Sequence, residues 1–239
     1  MKTLKKHTLL FALMLCMLAN ICACGSVGGF GTKDVSTLVQ GNIDHIYLGK
    51  YDAEYLKMVD ITEEEAEADY LDGLQMEAEF FASYWGIIDT SYGESYDDLD
   101  ESLQNAIIGL YKEIYSHTQY EIQSVTKLED GSYSVKVLVD PIDIMVQADE
   151  IYMNDEYEPL NEFWTKYAEV DVSAMTDEEY MAFTNEYGKI IVQMVSDLLP
   201  ELGYEEQKSQ VIQVEVEDGI QSINEDDFGI FDSYVISYP

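Results

Sequence analysis

The chain of 239 residues carries 48 Asp and Glu side chains against 12 lysines, has a formal net charge of −36 at neutral pH, and contains no arginine. Nucleic acid is excluded as a ligand because its affinity rests on cations that neutralise phosphates, and without a bidentate guanidinium clamp phosphorylated substrates are poor candidates too. Disorder is also excluded: hydrophobic residues make up 47% of the chain, and 19 tyrosines offer apolar surface to bury.

Lys2, Lys5 and Lys6 precede an uncharged apolar run from Leu9 to Leu18. About ten apolar residues fall short of the roughly 20 that span a bilayer, so the pattern predicts an export signal over residues 1–23. All three cysteines, Cys16, Cys22 and Cys24, lie here. Ile21-Cys22-Ala23-Cys24 followed by Gly25-Ser26 has the form of a bacterial lipobox: an aliphatic residue at −3, a small one at −1, then the cysteine that is lipidated. Cys24 is the expected lipidation site, since Ile21 is too bulky at −1 for Cys22, and Cys16 and Cys22 leave with the signal. A disulfide framework would need cysteines inside the folded domain, and Cys22 with Cys24 lacks a second pair of zinc ligands. Two or more acyl chains on Cys24, palmitate among them, would anchor the protein durably to the cell membrane on its extracytoplasmic face. The remaining 216 residues hold nine lysines against all 48 acids, a net charge of −39, and are enough for a single domain with a real core.

Residues 24–33 form a Gly-rich tether (GSVGGFGTK from Gly25) with a reach of about 30 Å at most. Asp34 is the expected N-cap of a first helix, in which Val35, Leu38, Val39, Ile43 and Ile46 share a face and which Gly49 ends. A short helical turn follows within 51–59. Thr62-Glu63-Glu64-Glu65 is a capping box opening a helix over 63–85, with Ala66, Tyr70, Leu74, Phe81 and Trp85 on one stripe. Leu99, Leu103, Ile107, Leu110 and Ile114 predict another helix within 96–116. The period then changes: Tyr120–Leu128 is β-prone, and Tyr133, Val135, Val137 and Val139 alternate with other residues. Asp130-Gly131 between them suits a type I′ hairpin turn. Residues 160–167 read as helix, and a second capping box at Thr176-Asp177-Glu178-Glu179 opens a long helix that Pro200 and Gly203 stop. Ile212, Val214 and Val216 alternate as a third strand, and Tyr234–Tyr238 reads as a last one. This segregation predicts an α+β fold, a curved antiparallel sheet packed against several helices, in a single domain over 34–239.

The lipobox, the helical opening DVSTLVQGNIDHIYLGKYDAEY, the hairpin YEIQSVTKLEDGSYSVKVLV, the strand SQVIQVEVEDG and the closing INEDDFGIFDSYVISYP together resemble a group of Firmicutes surface lipoproteins of unknown function. The resemblance implies an elaborated cystatin-like or nuclear-transport-factor-like cone and a Gram-positive host, and it brings no functional residues with it.

Candidates for chemistry are few. His45 falls in the first helix beside Ile46, and His117 ends a helix, where a cation is favoured by the helix dipole. Asn224–Gly229 starts like a calcium loop, but Phe228 and Val235 stand at the fifth and twelfth positions, where ligands are required. Tyr47, Tyr51 and Tyr55 recur at four-residue spacing, and Gly49 interrupts their helix, which favours core packing over a sugar-stacking stripe. No cofactor or metal is expected, and divalent cations would meet the acidic coat only weakly. A pocket inside the cone would be lined by Tyr133, Val135, Val137, Ile212, Val214 and Val216, from alternation alone. The expected function is a lipid-anchored envelope module that binds a protein, peptide or glycan partner without catalysis. The alternative is a small-molecule enzyme or ligand carrier with its site inside the cone.

Overall fold

The computed structural model describes residues 21–22, 30–217 and 220–239. Cys24 and nearly all of the expected signal and tether lie outside the described residues. In chain order the elements are β1 (Ile21–Cys22), α1 (Thr32–Leu48), α2 (Ala53–Val59), α3 (Glu63–Tyr84), α4 (Glu101–Ser116), β2 (Gln119–Lys127), β3 (Tyr133–Asp140), α5 (Ile144–Met153), α6 (Glu158–Tyr167), α7 (Asp177–Leu198), β4 (Lys208–Glu217), β5 (Ile220–Ile223) and α8 (Glu225–Val235). The fold is α+β, with an antiparallel sheet packed against helices.

The chain divides into two compact units that interleave in sequence. A sheet unit takes the residues up to Gly73 with Tyr115–Ile142 and Tyr204–Ile236, and a helical unit takes Leu74–Ile114, Asp143–Gly203 and Ser237–Pro239. Helix α3 is divided between them at Gly73.

In the sheet unit the strands lie in the order β1-β5-β4-β3-β2, every neighbour antiparallel. Period-two alternation puts Tyr133, Val135, Val137 and Val139 on one face of β3, all buried, with Ser134, Lys136 and Leu138 on the other. Register pairs Tyr133 with Val214 and Val135 with Ile212, so β4 continues the same apolar face. Helices α1 and α8 pack on this sheet. A register shift between Ile122 and Ser124 bends edge strand β2.

The loop between β2 and β3 departs from the expected type I′ turn. Gly131 takes a positive φ of 94°, and Asp130 does not. The Leu128 amide donates to Ser132 O at 2.9 Å and the Gly131 amide to Leu128 O at 3.1 Å, which makes a longer loop with a glycine at its left-handed position. Asp130 decides this, because its carboxylate accepts from the Ser132 amide at 3.0 Å and hydroxyl at 2.6 Å.

Two other expectations are corrected. Gly31, not Asp34, is the N-cap of α1; Asp34 sits in the first turn and its carboxylate reaches back to the Gly31 amide at 2.8 Å. Tyr234–Tyr238 is not a strand. Asn224 caps α8 by accepting from the Asp227 amide at 3.1 Å, and Phe228, Phe231 and Val235 are buried at helical spacing, so Tyr234 and Val235 end a helix. Ile236 alone bridges to Ile142. Helix α5 and strands β1 and β5 add to the expected elements.

The helical unit is built by α4, α5, α6, α7 and the second half of α3, with α7 packed on both α5 and α6. Both capping boxes form as expected. Thr62 and Thr176 accept from the amides of Glu65 and Glu179, whose carboxylates return to the threonine amides at 2.8 and 2.9 Å. Gly188 on α7 lies against Leu103 and Ile87, and the Asp100 amide donates to Asn185 at 2.9 Å. Every residue of the stripe from Leu99 to Ile114 named above is buried.

Candidate functional site

In the sheet unit the buried imidazole of His45 and the carboxylate of Asp232 are held by partners within the chain. His45 is 5% exposed, and its Nε2 lies 2.8 Å from Ala66 O. A carbonyl only accepts, so Nε2 carries the proton and Nδ1 accepts from the Tyr55 hydroxyl at 3.3 Å. Asn42 donates to the same hydroxyl at 3.5 Å. Burial lowers the imidazole pKa, more than the Ala66 bond and Asp69 raise it. The ring is therefore a neutral packing element bridging α1, α2 and α3, with both nitrogens engaged. His117 follows α4, and its carbonyl accepts from Tyr204 at 2.8 Å. Tyr47 and Tyr55 are buried, Tyr47 edge-on to Tyr115 and Phe231.

Tyrosine does much of the work that arginine does elsewhere. Tyr47 donates to Asp232 on α8 at 2.5 Å and Tyr120 donates to Asp44 on α1 at 2.6 Å. Desolvation raises the Asp232 pKa to about 6, against the pull of the Tyr47 bond. The four described ion pairs, by contrast, all lie at the surface.

Of the six residues expected to line a cone pocket, Tyr133, Val135, Val137, Ile212 and Val214 are buried, and Val216 is half-buried. They lie on the face that carries α1 and α8, and the Tyr133 hydroxyl donates to Phe30 O at 2.7 Å. Among the described residues no three His, Cys, Asp or Glu side chains converge as metal ligands, and no helix is long and apolar enough to cross a membrane.

The helical unit holds a different arrangement, which sequence reasoning missed. Helices α6 and α7 bring Phe163, Trp164 and Tyr167 against Tyr180, Phe183 and Tyr187. Phe163 and Tyr187 are the buried floor, and the Tyr187 hydroxyl donates to Trp85 O at 2.9 Å. Trp164 stays 45% exposed, while Tyr167, Tyr180 and Phe183 are half-buried. Phe183 is central: its ring centroid is 4.8 Å from that of Tyr167, edge to face, and 6.3 Å from that of Tyr180, stacked. A carboxylate stands at each of these tyrosines. Tyr167 donates to Glu186 at 2.9 Å, and Tyr180 donates to Glu94 at 2.7 Å. Lys166 is bonded to both Glu186 oxygens at 2.7 Å with its ammonium 4.8 Å from the Tyr167 ring centre. Those bonds hold the Glu186 pKa down, and the Glu94 bond pushes the Tyr180 phenol up. The two helices were readable from their periodicity; the juxtaposition of aromatic and acidic residues across them was not.

No protein-family model and no curated protein matches the chain. Among solved structures, the fold is similar to that of ycdA from Bacillus subtilis subsp. subtilis str. 168, a candidate lipoprotein. The TM-score is 0.51 at 18% identity, covering 85% of this chain and 56% of that one. The chain thus spans little more than half the length of that structure. At this identity the likeness is one of fold.

Proposed function

We infer that the chain is a lipid-anchored, extracytoplasmic binding or accessory module of the bacterial envelope, attached through Cys24 and without catalysis of its own. The observation that carries this reading is the contrast between interior and surface. The buried imidazole and the Asp232 carboxylate are both engaged by partners within the chain, whereas the aromatic residues of α6 and α7 reach the surface with Trp164 exposed. Closed interior groups suit packing, and exposed aromatic groups suit recognition. The lipobox Ile21-Cys22-Ala23-Cys24 and the likeness in fold to a candidate lipoprotein of Bacillus subtilis support the anchor, and a cone-type sheet in a Gram-positive host agrees with both.

The anchor is tested by partition of the expressed chain between Triton X-114 and water. The wild type and Cys22→Ala enter the detergent phase with an acyl mass, and Cys24→Ala stays in the aqueous phase. A Cys24→Ala protein that still carries acyl mass overturns the assignment.

A further inference from the structure

We propose that the aromatic face of α6 and α7 binds a lysine-bearing peptide segment of another protein, with Glu94 and Tyr180 receiving the lysine ammonium. The proposal rests on the envelope-module reading and names the class of its partner.

The helical unit carries a repeat in space that the sequence does not display. Tyr167 and Glu186 are hydrogen-bonded at 2.9 Å. Tyr180 and Glu94 are hydrogen-bonded at 2.7 Å. Both tyrosines contact the same phenylalanine ring. The first pair already holds an ammonium: Lys166 bonds to both carboxylate oxygens at 2.7 Å and lies over the Tyr167 ring. That contact combines charge-assisted hydrogen bonds with a cation–π interaction, the combination that recognises alkylammonium groups. The second pair has the same parts, and among the described residues no lysine stands at Glu94. The remaining bond to Glu94, from the Asp89 amide at 2.5 Å, goes to the oxygen that Tyr180 does not use and fixes the carboxylate in place.

Charge complementarity selects the occupant. The helical unit has 24 acidic residues and three lysines, Lys112, Lys166 and Lys189. Of these, Lys166 is bound to Glu186, and Lys189 pairs with Asp100 at 3.6 Å. A cationic segment is drawn to such a surface, and an acidic one is repelled. Trp164, at 45% exposure beside Phe183 and Tyr187, adds a large flat apolar surface for the stems and backbone between lysines. A lysine-bearing segment would set its ammonium at Glu94 and Tyr180 and rest its apolar stems and backbone on Phe183 and Trp164.

The experiment uses the mature lipidated protein in detergent micelles, with a twelve-residue peptide of alternating lysine and glycine as probe. Calorimetry gives affinity, and the part of the indole fluorescence that Trp164→Ala removes reports on Trp164, Trp85 being the other tryptophan. The peptide is expected to bind, and its fully Nζ-acetylated form is not. Glu94→Gln, which keeps an acceptor for Tyr180, and Trp164→Ala should each weaken binding roughly tenfold. Glu64→Gln, an exposed acid of the sheet unit, should change it less than about twofold. Equal losses in Glu94→Gln and Glu64→Gln would reduce the effect to the general acidic coat and overturn the proposal. Equal binding of the acetylated peptide would overturn it too. So would a partly deacetylated chitin oligomer that binds more tightly than the peptide, which would move the ammonium from protein to glycan. A circular dichroism spectrum for each variant separates lost binding from lost fold. If the peptide fails while the protein still partitions into detergent through Cys24, this proposal falls and the anchored-module reading stands.

Discussion

The sheet unit and the helical unit hold 24 acidic residues each, and outside the leader they set six and three lysines against them. Both answer the shortage of cations with tyrosine hydroxyls, but they place the pairs differently. In the sheet unit Tyr47 and Tyr120 tie α1 to α8 and to β2, and desolvation drives Asp232 towards its neutral form. In the helical unit Tyr167 and Tyr180 hold carboxylates beside an exposed tryptophan, and Lys166 keeps Glu186 charged. One bond type thus joins elements in the sheet unit, where Asp232 is desolvated, and holds carboxylates near the surface in the helical unit, where Lys166 pairs with Glu186.

The largest effect that tests this comparison is steric. A Cβ at Gly41 would run into the Cβ and Cγ of Tyr55, the stem of a ring whose hydroxyl is tied to His45 and Asn42. Gly41→Ala should cost about 3 kcal/mol, because the ring cannot yield without breaking that network. A Cβ at Gly188 would meet Leu103 Cδ2 at 2.6 Å and Ile87 Cγ2 at 3.1 Å. Those are side-chain ends that can rotate, and alanine regains about 1 kcal/mol of helix propensity, so Gly188→Ala should lie within about 1 kcal/mol of the wild type. Urea midpoints of the two variants measure both. A Gly188→Ala variant weaker than Gly41→Ala would show that the helical unit has the tighter interior.

Next in size are the titrations. The folded-state pKa of Asp232 is raised to about 6, so between pH 4 and 6 the folded chain binds the extra proton. Stability falls as pH rises through that window, and the loss persists at pH 7. Asp232→Asn should therefore stabilise the protein at pH 7 by up to about 2 kcal/mol and have no benefit at pH 4. Glu186 is shifted the other way by Lys166. Its stabilisation is present above the unfolded carboxylate pKa and is lost as pH falls, and as an exposed pair it should be worth less than about 1 kcal/mol. His45, with its pKa lowered by burial, loses stability as pH falls through about 6.5, since the unfolded imidazole takes the proton first. In an Asp232→Asn background the His45 trend should stand alone, with urea midpoints dropping steadily from pH 7 to 5.5. A flat profile there would mean that the imidazole is not held neutral.

Where local chemistry decides structure, it was legible in the sequence. Gly49 stops α1 at a φ of 56°, both threonine capping boxes form, and the alternation from Tyr133 to Val139 is the buried face of β3. Helix α5 was illegible for an equally local reason: it opens on Ile144-Met145-Val146, and Asp143 makes no side-chain cap bond. At α8 two periods competed. Tyr234-Val235-Ile236-Ser237-Tyr238 alternates like a strand, while Phe228, Phe231 and Val235 repeat like a helix, and the Asn224 cap settles the matter. The candidate site was less legible still, because Glu94 and Tyr180 are 86 residues apart and meet only through tertiary packing. Among 48 acids and 19 tyrosines, no spacing rule selects that pair.

The smallest effect is also the most diffuse. With a net charge of −36 on the full chain, like charges repel in the compact state and salt relieves them. The Debye length falls from roughly 30 Å at 0.01 M to about 3 Å at 1 M, so the melting temperature should rise with sodium chloride. The two units should not share the gain equally. Three lysines offset 24 acids in the helical unit and six offset 24 in the sheet unit outside the leader, so net repulsion is larger in the first. Amide hydrogen exchange reads this unit by unit, because local opening depends on local free energy. Protection in α6 and α7 should increase more between 0.01 M and 1 M salt than protection in β3, whose Val135, Val137 and Val139 are buried among apolar neighbours. An equal or larger gain in β3 would mean that tyrosine bonds already quiet the charge on the helical unit, leaving the coat there as screened as that of the sheet.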